Sequence, residues 1–292
     1  MIASLRSAYA EESPALAITE LRRGLIQIAG AGGNVVLLAA PEGLLLVDSG
    51  APDRAHDLKQ LVADRFGAAP VATLFNTHWH LEHTGGNEVV TDSSTAIIAH
   101  ENTRLWMSTK FYVEWQDRRY TPRPPRARPT RTFFSSDPQP LELTFGGERV
   151  SYGHLPEAHT DGDIYVRFME RNVIVAGGAA TAGRYPVPDY ITGGWIGGLM
   201  TATETLIGMA DGETLIVPEA GPARTRADLQ AQHDMLAAVR ERVEAMALKG
   251  RGIDEMIDAG LTKEFDARFG KDTRQFITNV YQGLWWNRMR AI

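Results

Sequence analysis

The sequence predicts a single large layered α/β domain. Short apolar runs of strand length alternate with segments of helical apolar spacing, and this alternation occurs twice along the chain. The 292 residues, 43% of them hydrophobic, suffice to bury a large core. No linker-like stretch divides the chain, so residues 15–292 are assigned to one domain and 1–14 to an N-terminal tail.

Taken in order, Ile18 to Ile28 reads as a strand. Asn34 to Asp48 reads as a hairpin, with Pro41-Glu42-Gly43 turning the chain between Val35–Leu38 and Leu44–Val47. Arg54 to Phe66 carries Leu58, Leu61 and Val62 at helical spacing and stops at Gly67, which predicts a helix. Val71–Phe75 is a buried strand, followed by a short helix near Asn87. Ala96–Ala99 is another strand and Asn102 to Lys110 another helix.

Arg118 to Arg131 is a compositional island with six arginines and four prolines. Proline at that density blocks both helix and central strand, so a long extended loop is expected. Its arginines read first as a solvated surface connection, and second as a flank that selects anionic substrates. Strands return at Leu141–Phe145, Arg149–His154, Ile164–Phe168, Val173–Ala176 and Thr214–Val217. A helix opens at Gly193-Gly194-Trp195-Ile196-Gly197-Gly198 and runs towards Met209. The segment from about 226 to 292 reads as helical, beginning with a long amphipathic helix from Arg226 to Leu248.

Composition removes several function classes. Net charge is −6, from 30 basic and 36 acidic residues, which disfavours nucleic acid as a partner. There is no cysteine, which excludes thiolate ligands, disulfides and a cysteine nucleophile. No apolar run approaches the roughly 20 residues that span a bilayer, so no membrane partner is expected. A soluble protein, cytoplasmic or periplasmic, is expected. Ala8-Tyr9-Ala10 resembles a signal-peptidase site, yet the apolar stretch that should precede it is missing. The segment is read as a tail, with a longer precursor as the alternative.

The chemistry concentrates in Asn76-Thr77-His78-Trp79-His80-Leu81-Glu82-His83-Thr84-Gly85-Gly86-Asn87. In extended chain, side chains two apart share a side, so His78 and His80 can reach one point. Glu82 and His83 then sit at the turn into the next helix, facing a neighbouring point. Neutral imidazole is the commonest metal ligand, and zinc favours nitrogen-rich tetrahedral sites.

The order of a hairpin ending in Asp48, then His78-x-His80-x-Glu82-His83, then Ala158-His159-Thr160-Asp161-Gly162-Asp163 closely resembles the metallo-β-lactamase superfamily. That resemblance covers about Ile18 to Arg226 and implies an αββα sandwich with a C-terminal helical extension. It implies that His78, His80 and His159 hold a first metal, most simply one zinc ion. A second metal in the family uses the acid and last histidine of the motif, an aspartate after a later strand and a histidine before Gly-Pro. Here those last two positions are Gly178 and Ala220, and the acid is Glu82 rather than the shorter aspartate. A second ion is therefore doubtful, with Glu219 and Asp189 as the candidate substitutes nearest that site. Restoring aspartate at 178 and histidine at 220 is expected to admit it.

Under this resemblance the protein is a hydrolase of a small ester, lactone, thioester or amide, β-lactams included. Zinc lowers the pKa of its bound water from 15.7 to roughly 7, supplying hydroxide near neutrality. Glu82 is the candidate general base and His83 the candidate proton donor, with a hydrogen-bonded role that orients the ligands as the competing reading. The alternative function is a non-catalytic ligand-binding member of the fold with an eroded metal centre. An iron oxygenase ranks third, because its facial carboxylate would come from the position held by Gly178.

Asp48 is expected to hydrogen-bond the motif loop rather than bind metal, and His154 to be a hydrogen-bonded scaffold residue. His56, His100 and His233 fall on helices or helix starts. Tyr185, Trp195 and Trp79 are candidates for a substrate cleft, each equally a core residue. The expected partner is a small-molecule substrate; oligomeric state is left open.

Overall fold

The computed structural model describes residues 15–137 and 139–290. The expected tail and Ala8-Tyr9-Ala10 lie outside the described residues.

In chain order the strands are β1 (Ala17–Arg22), β2 (Leu25–Ala31), β3 (Gly33–Ala40), β4 (Gly43–Val47), β5 (Val71–Phe75), β6 (Ala96–His100), β7 (Phe111–Val113), β8 (Arg118–Tyr120), β9 (Arg131–Phe133), β10 (Leu141–Phe145), β11 (Glu148–His154), β12 (Ile164–Phe168), β13 (Val173–Gly177) and β14 (Leu215–Pro218). A seven-stranded sheet has the order β1-β2-β3-β4-β5-β6-β9, and a five-stranded sheet the order β10-β11-β12-β13-β14. Within the first sheet, β1 to β4 pair antiparallel and the remaining pairs are parallel. The second sheet is antiparallel until β14 adds in parallel to β13. A separate hairpin joins β7 to β8.

The helices are α1 (Ala55–Phe66), α2 (Leu81–Thr84), α3 (Asn87–Val90), α4 (Glu101–Ser108), α5 (Ile196–Met209), α6 (Arg226–Ala247), α7 (Ile253–Asp258), α8 (Asp266–Phe269) and α9 (Arg274–Arg290). None of the described helices is long and apolar enough to cross a membrane.

Strand period sorts the apolar residues into layers. Val36, Leu38, Leu45 and Val47 face one way and meet Val150, Val166, Phe168 and Val175 of the second sheet. Their alternates Val35, Leu37, Leu44 and Leu46 face the other way, onto Leu58 and Val62 of α1. The outer face of the second sheet, with Ile174, Ala176 and Ile216, packs on α5, α6 and α9. Both faces of β4 are thus covered, which is why Leu44–Val47 is apolar without alternation. The layers are helix, sheet, sheet, helix: an αββα sandwich with further helices at the C-terminus.

Phe75, fully buried in the inter-sheet core, is the last residue before the histidine motif. Truncating it to alanine would cost about 3–5 kcal/mol and loosen the base on which the motif stands.

Two expectations are corrected. Ile18 to Ile28 is two antiparallel strands, because Gly24 at φ +74° turns the chain after Arg23. Arg118 to Arg131 is not loop throughout: its ends are β8 and β9, and only the proline-bearing middle lacks strand pairing. Several of its arginines are engaged, Arg126 with Glu88 and Arg128 Nε with the Arg123 carbonyl at 2.6 Å.

A candidate metal centre

The motif loop leaves β5 at Asn76 and enters α2 at Leu81. Asp48, just past β4, shapes that loop. Its Oδ1 accepts from the Thr77 backbone N–H and its Oδ2 from the Thr77 hydroxyl, both at 2.7 Å. Asp48 holds φ +64°, a left-handed conformation that aspartate tolerates better than most residues. The second sheet joins here too, since Ile164 at the start of β12 donates its N–H to the Thr77 carbonyl at 2.9 Å.

His159 arrives on the loop between β11 and β12. Asp163 closes that loop by accepting from Thr160 N at 2.7 Å and Thr160 Oγ1 at 3.2 Å. Burial pushes the Asp163 carboxyl well above its ordinary range, against the lowering effect of those bonds.

His78, His80 and His159 are all buried, and one nitrogen of each lies within 4.8 Å of the others. Their outward nitrogens are occupied. Nε2 of His80 faces Asp189 Oδ2 at 3.1 Å, and Nδ1 of His159 faces the Val187 carbonyl at 2.6 Å. Because the Thr77 hydroxyl gives its proton to Asp48, it accepts one from His78 Nδ1 at 3.1 Å. Each ring therefore carries its proton on the outer nitrogen and a lone pair on the inner one.

Those lone pairs converge. With those tautomers, His80 Nδ1 and His159 Nε2 oppose two lone pairs across 2.9 Å. His78 Nε2 is buried with no hydrogen-bond partner. Two opposed lone pairs and an orphaned acceptor are what a cation would satisfy, and three imidazoles with an open fourth position form a zinc-type donor set. The residues present fit a metal ion.

Electrostatics agree. Burial, then the neighbouring His83, His159 and His80, holds His78 well below the usual imidazole pKa. Burial and then His80 push His159 down to about 4. Both stay neutral near pH 7, the form that binds metal.

Asp189 does not point a free carboxylate at a second metal position. Its Oδ2 also accepts from Thr192 Oγ1 at 2.7 Å, and its Oδ1 accepts from Trp115 Nε1 at 2.9 Å and Ile191 N at 3.2 Å. Burial opposes its charge, but His80 and these donors prevail and its pKa is lowered. Glu219 is engaged by Arg184 at 2.6 Å.

His83 is buried beside the three ligands, its ring centroid 4.3 Å from that of His78. Its Nδ1 meets Asp48 Oδ2 at 2.7 Å. Burial disfavours its cationic form, yet Asp48, by charge and hydrogen bond, with help from Glu219 and Glu82, raises its pKa. Gly33 permits this placement, since a Cβ there would lie 2.6 Å from His83 Cε1. Glu82 is exposed and makes no hydrogen bond among the described residues.

Gly178 lies against the first ligand set rather than beside an empty space. A Cβ at 178 would sit 2.4 Å from His159 Cδ2 and 2.5 Å from Cγ. An aspartate restored there would meet the His159 ring, which would have to move first.

A cleft of about 290 Å³ opens over the centre, lined by His80, Glu82, His83, Trp115, Arg184 and Glu219 among others. Trp79 and Tyr185 are core instead, 2% and 4% exposed, and Trp195 packs against the core under Arg240. His154 is a hydrogen-bonded scaffold residue, with Nε2 on the Asp161 carbonyl at 2.9 Å. Trp115, Gln116 and Arg184 were not anticipated as cleft residues. The only sequence signal for Trp115 is the aromatic density of the surrounding segment, with Trp106, Phe111, Tyr112 and Tyr120.

Residues 29–236 match the sequence model of the metallo-beta-lactamase superfamily. No curated protein matches the chain. Among solved structures, a metallo-beta-lactamase from Pontibacter korlensis aligns at TM-score 0.60 and 16% identity, over 76% of this chain and 99% of its own. A stereoselective inverting sec-alkylsulfatase from Pseudomonas sp. aligns at TM-score 0.70 and 15% identity, over 91% of this chain and 50% of its own. DIM-1 metallo-beta-lactamase aligns at TM-score 0.59 and 16% identity, covering 77% and 99%. At such identities these likenesses establish the fold alone.

Proposed function

The chain belongs to the metallo-β-lactamase superfamily, and from that premise we propose a zinc-dependent hydrolase of small esters, lactones, thioesters or amides, β-lactams included. One observation carries the proposal: three imidazoles turn their inner nitrogens onto one buried point at the floor of a cleft. His78, His80 and His159 would hold the zinc ion, which would supply Lewis acidity towards a carbonyl and lower the pKa of a bound water.

The chain's own residues do the remaining work. Glu82 lines the cleft with no hydrogen-bond partner among the described residues, so its carboxylate is available to take a proton from the attacking water. His83 is held by Asp48 through Nδ1, the arrangement that fixes a base or acid by its far nitrogen, and is suited to deliver a proton to the leaving group. Trp115 and the Arg184–Glu219 pair bound the space that the substrate enters. We assign a single ion, since Gly178 and Ala220 offer no donors and Asp189 and Glu219 are engaged elsewhere.

Metal analysis of the full chain after zinc reconstitution, paired with a screen of those four substrate classes, tests this reading. One zinc per chain with turnover of at least one class supports it. No bound zinc would sink it, and two would refute the single-ion assignment.

A further inference from the structure

The tip of the β7–β8 hairpin reaches the metal centre through one carboxylate. The hairpin is firmly mounted: Phe111 stacks on Tyr120 at 5.1 Å, and both meet Trp79 edge-on, at 5.1 and 4.8 Å. Trp79 lies between the two ligands His78 and His80, so the hairpin base packs on the motif itself. At the tip, Asp117 turns the chain at φ +47° and is braced by the Tyr112 hydroxyl at 2.6 Å. Trp115 stands there over the cleft, its ring centroid 6.3 Å from that of His80.

Its indole N–H donates to Asp189 Oδ1, while Asp189 Oδ2 faces His80 Nε2. A carboxylate held at one oxygen can swivel about its terminal torsion, which is broad and roughly two-fold. Held at both oxygens it cannot, and at Oδ1 Trp115 gives the shorter of two bonds, 2.9 Å against 3.2 Å from Ile191 N. A second indole supports the same group, since Trp79 Nε1 donates to Thr192 Oγ1 at 3.1 Å and Thr192 donates onward to Oδ2. Orientation of His80, and hence the direction of its Nδ1 lone pair, depends on that carboxylate.

We infer that Trp115 is a positioning residue for the metal centre, locking Asp189 and through it His80, while its ring forms the cleft wall. This rests on the metal-site reading of the three histidines. It also means that the hairpin tip, otherwise a surface element, sets part of the metal affinity.

The test compares zinc affinity, by chelator competition on the full chain, for the wild type, Trp115→Phe, Asp189→Asn and the double variant. Phenylalanine keeps a ring on the cleft and loses only the N–H. Removing groups that orient a metal ligand costs about 10–100-fold in metal affinity, so Asp189→Asn should fall in that range and Trp115→Phe, one bond further away, at roughly three- to tenfold. The double variant should bind no more weakly than Asp189→Asn alone, since both substitutions break one chain of contacts. Cobalt(II) in place of zinc should show a shifted visible spectrum in Trp115→Phe, a signature that a loss of general stability would not produce. Trp115→Leu, with melting temperatures recorded alongside, should give the same affinity loss. Wild-type affinity and an unchanged cobalt spectrum in Trp115→Phe would overturn the inference, as would losses that multiply in the double variant. If the wild type binds no zinc at all, the metal-site reading has failed instead.

Discussion

Nδ1 of His80 and Nε2 of His159 face each other across 2.9 Å with their ring protons turned away, to Asp189 and to the Val187 carbonyl. The buried Nε2 of His78 beside them has no hydrogen-bond partner, an unmet acceptor in the folded chain. Ion binding therefore relieves a cost carried by the folded chain.

Zinc should accordingly stabilise the fold strongly. At a free concentration 1,000 times the dissociation constant, linkage supplies about 4 kcal/mol. Thermal denaturation should show a zinc-dependent rise in midpoint for the wild type and none for His159→Ala. A rise of equal size in that variant would place the ion elsewhere.

Asp48 should matter more for stability than its position outside the ligand set suggests. It accepts three buried hydrogen bonds, from Thr77 N, Thr77 Oγ1 and His83 Nδ1. Asp48→Ala leaves those donors unmet, at a cost of about 3–5 kcal/mol. It also places alanine at φ +64°, whereas Asp48→Gly loses the same bonds without that strain. Glycine should therefore be less damaging than alanine by about 1 kcal/mol. Urea unfolding of the two variants decides: equal midpoints would mean that the left-handed conformation carries no strain.

Much of this was legible because it is local. The bounds of Val71–Phe75 are readable from a five-residue run, four of them apolar, ending at Asn76, and His78 and His80 lie two apart in the chain leaving it. The turn at Arg23-Gly24 escaped because apolar residues lie on both sides of so short a reversal. The strands at either end of the arginine-rich segment escaped because proline dominates its composition, and β9 is formed by pairing with the distant β6. Trp115 and Asp189 are 74 residues apart, so no spacing rule could join them. Gly178 was legible as a missing ligand, but not as the glycine against which the His159 ring lies, because that depends on packing.

Acid should destabilise the fold through a histidine pair outside the metal site. His100 and His154 stack at 3.8 Å, with the Ser135 hydroxyl in contact with both rings. Burial, then His154, pushes His100 down to about 4, although Asp137 pulls the other way. Burial also lowers His154, opposed by its bond to the Asp161 carbonyl and by Glu157. A histidine neutral when folded binds its proton more readily when unfolded. Its contribution is thus complete above the ordinary 6.5 and is lost as pH falls towards about 4. The denaturant midpoint of the wild type should drop across that window. His100→Asn keeps a side chain able to cap α4, where His100 now accepts from Asn102 N, but removes the titration. Its midpoint should fall less steeply with acid, and parallel slopes for the two proteins would refute the assignment.

Rebuilding the family's second metal position should weaken the first. In Gly178→Asp the new Cβ would lie 2.4–2.8 Å from three atoms of His159, closer than Cβ contacts occur in folded proteins. The backbone at 178 follows directly on β13 and is buried, so the histidine is the part able to give. Moving that ring breaks its 2.6 Å bond to the Val187 carbonyl and turns its lone pair away from His80. A metal ligand displaced in this way loses affinity by about 10–100-fold or more, on the scale seen when an orienting partner is removed. Gly178→Asp combined with Ala220→His should therefore bind at most one zinc per chain, and more weakly than the wild type. Equilibrium dialysis followed by metal analysis reads both quantities. Two tightly held ions would show that His159 can yield without cost and that only the missing donors separate this site from a dinuclear one.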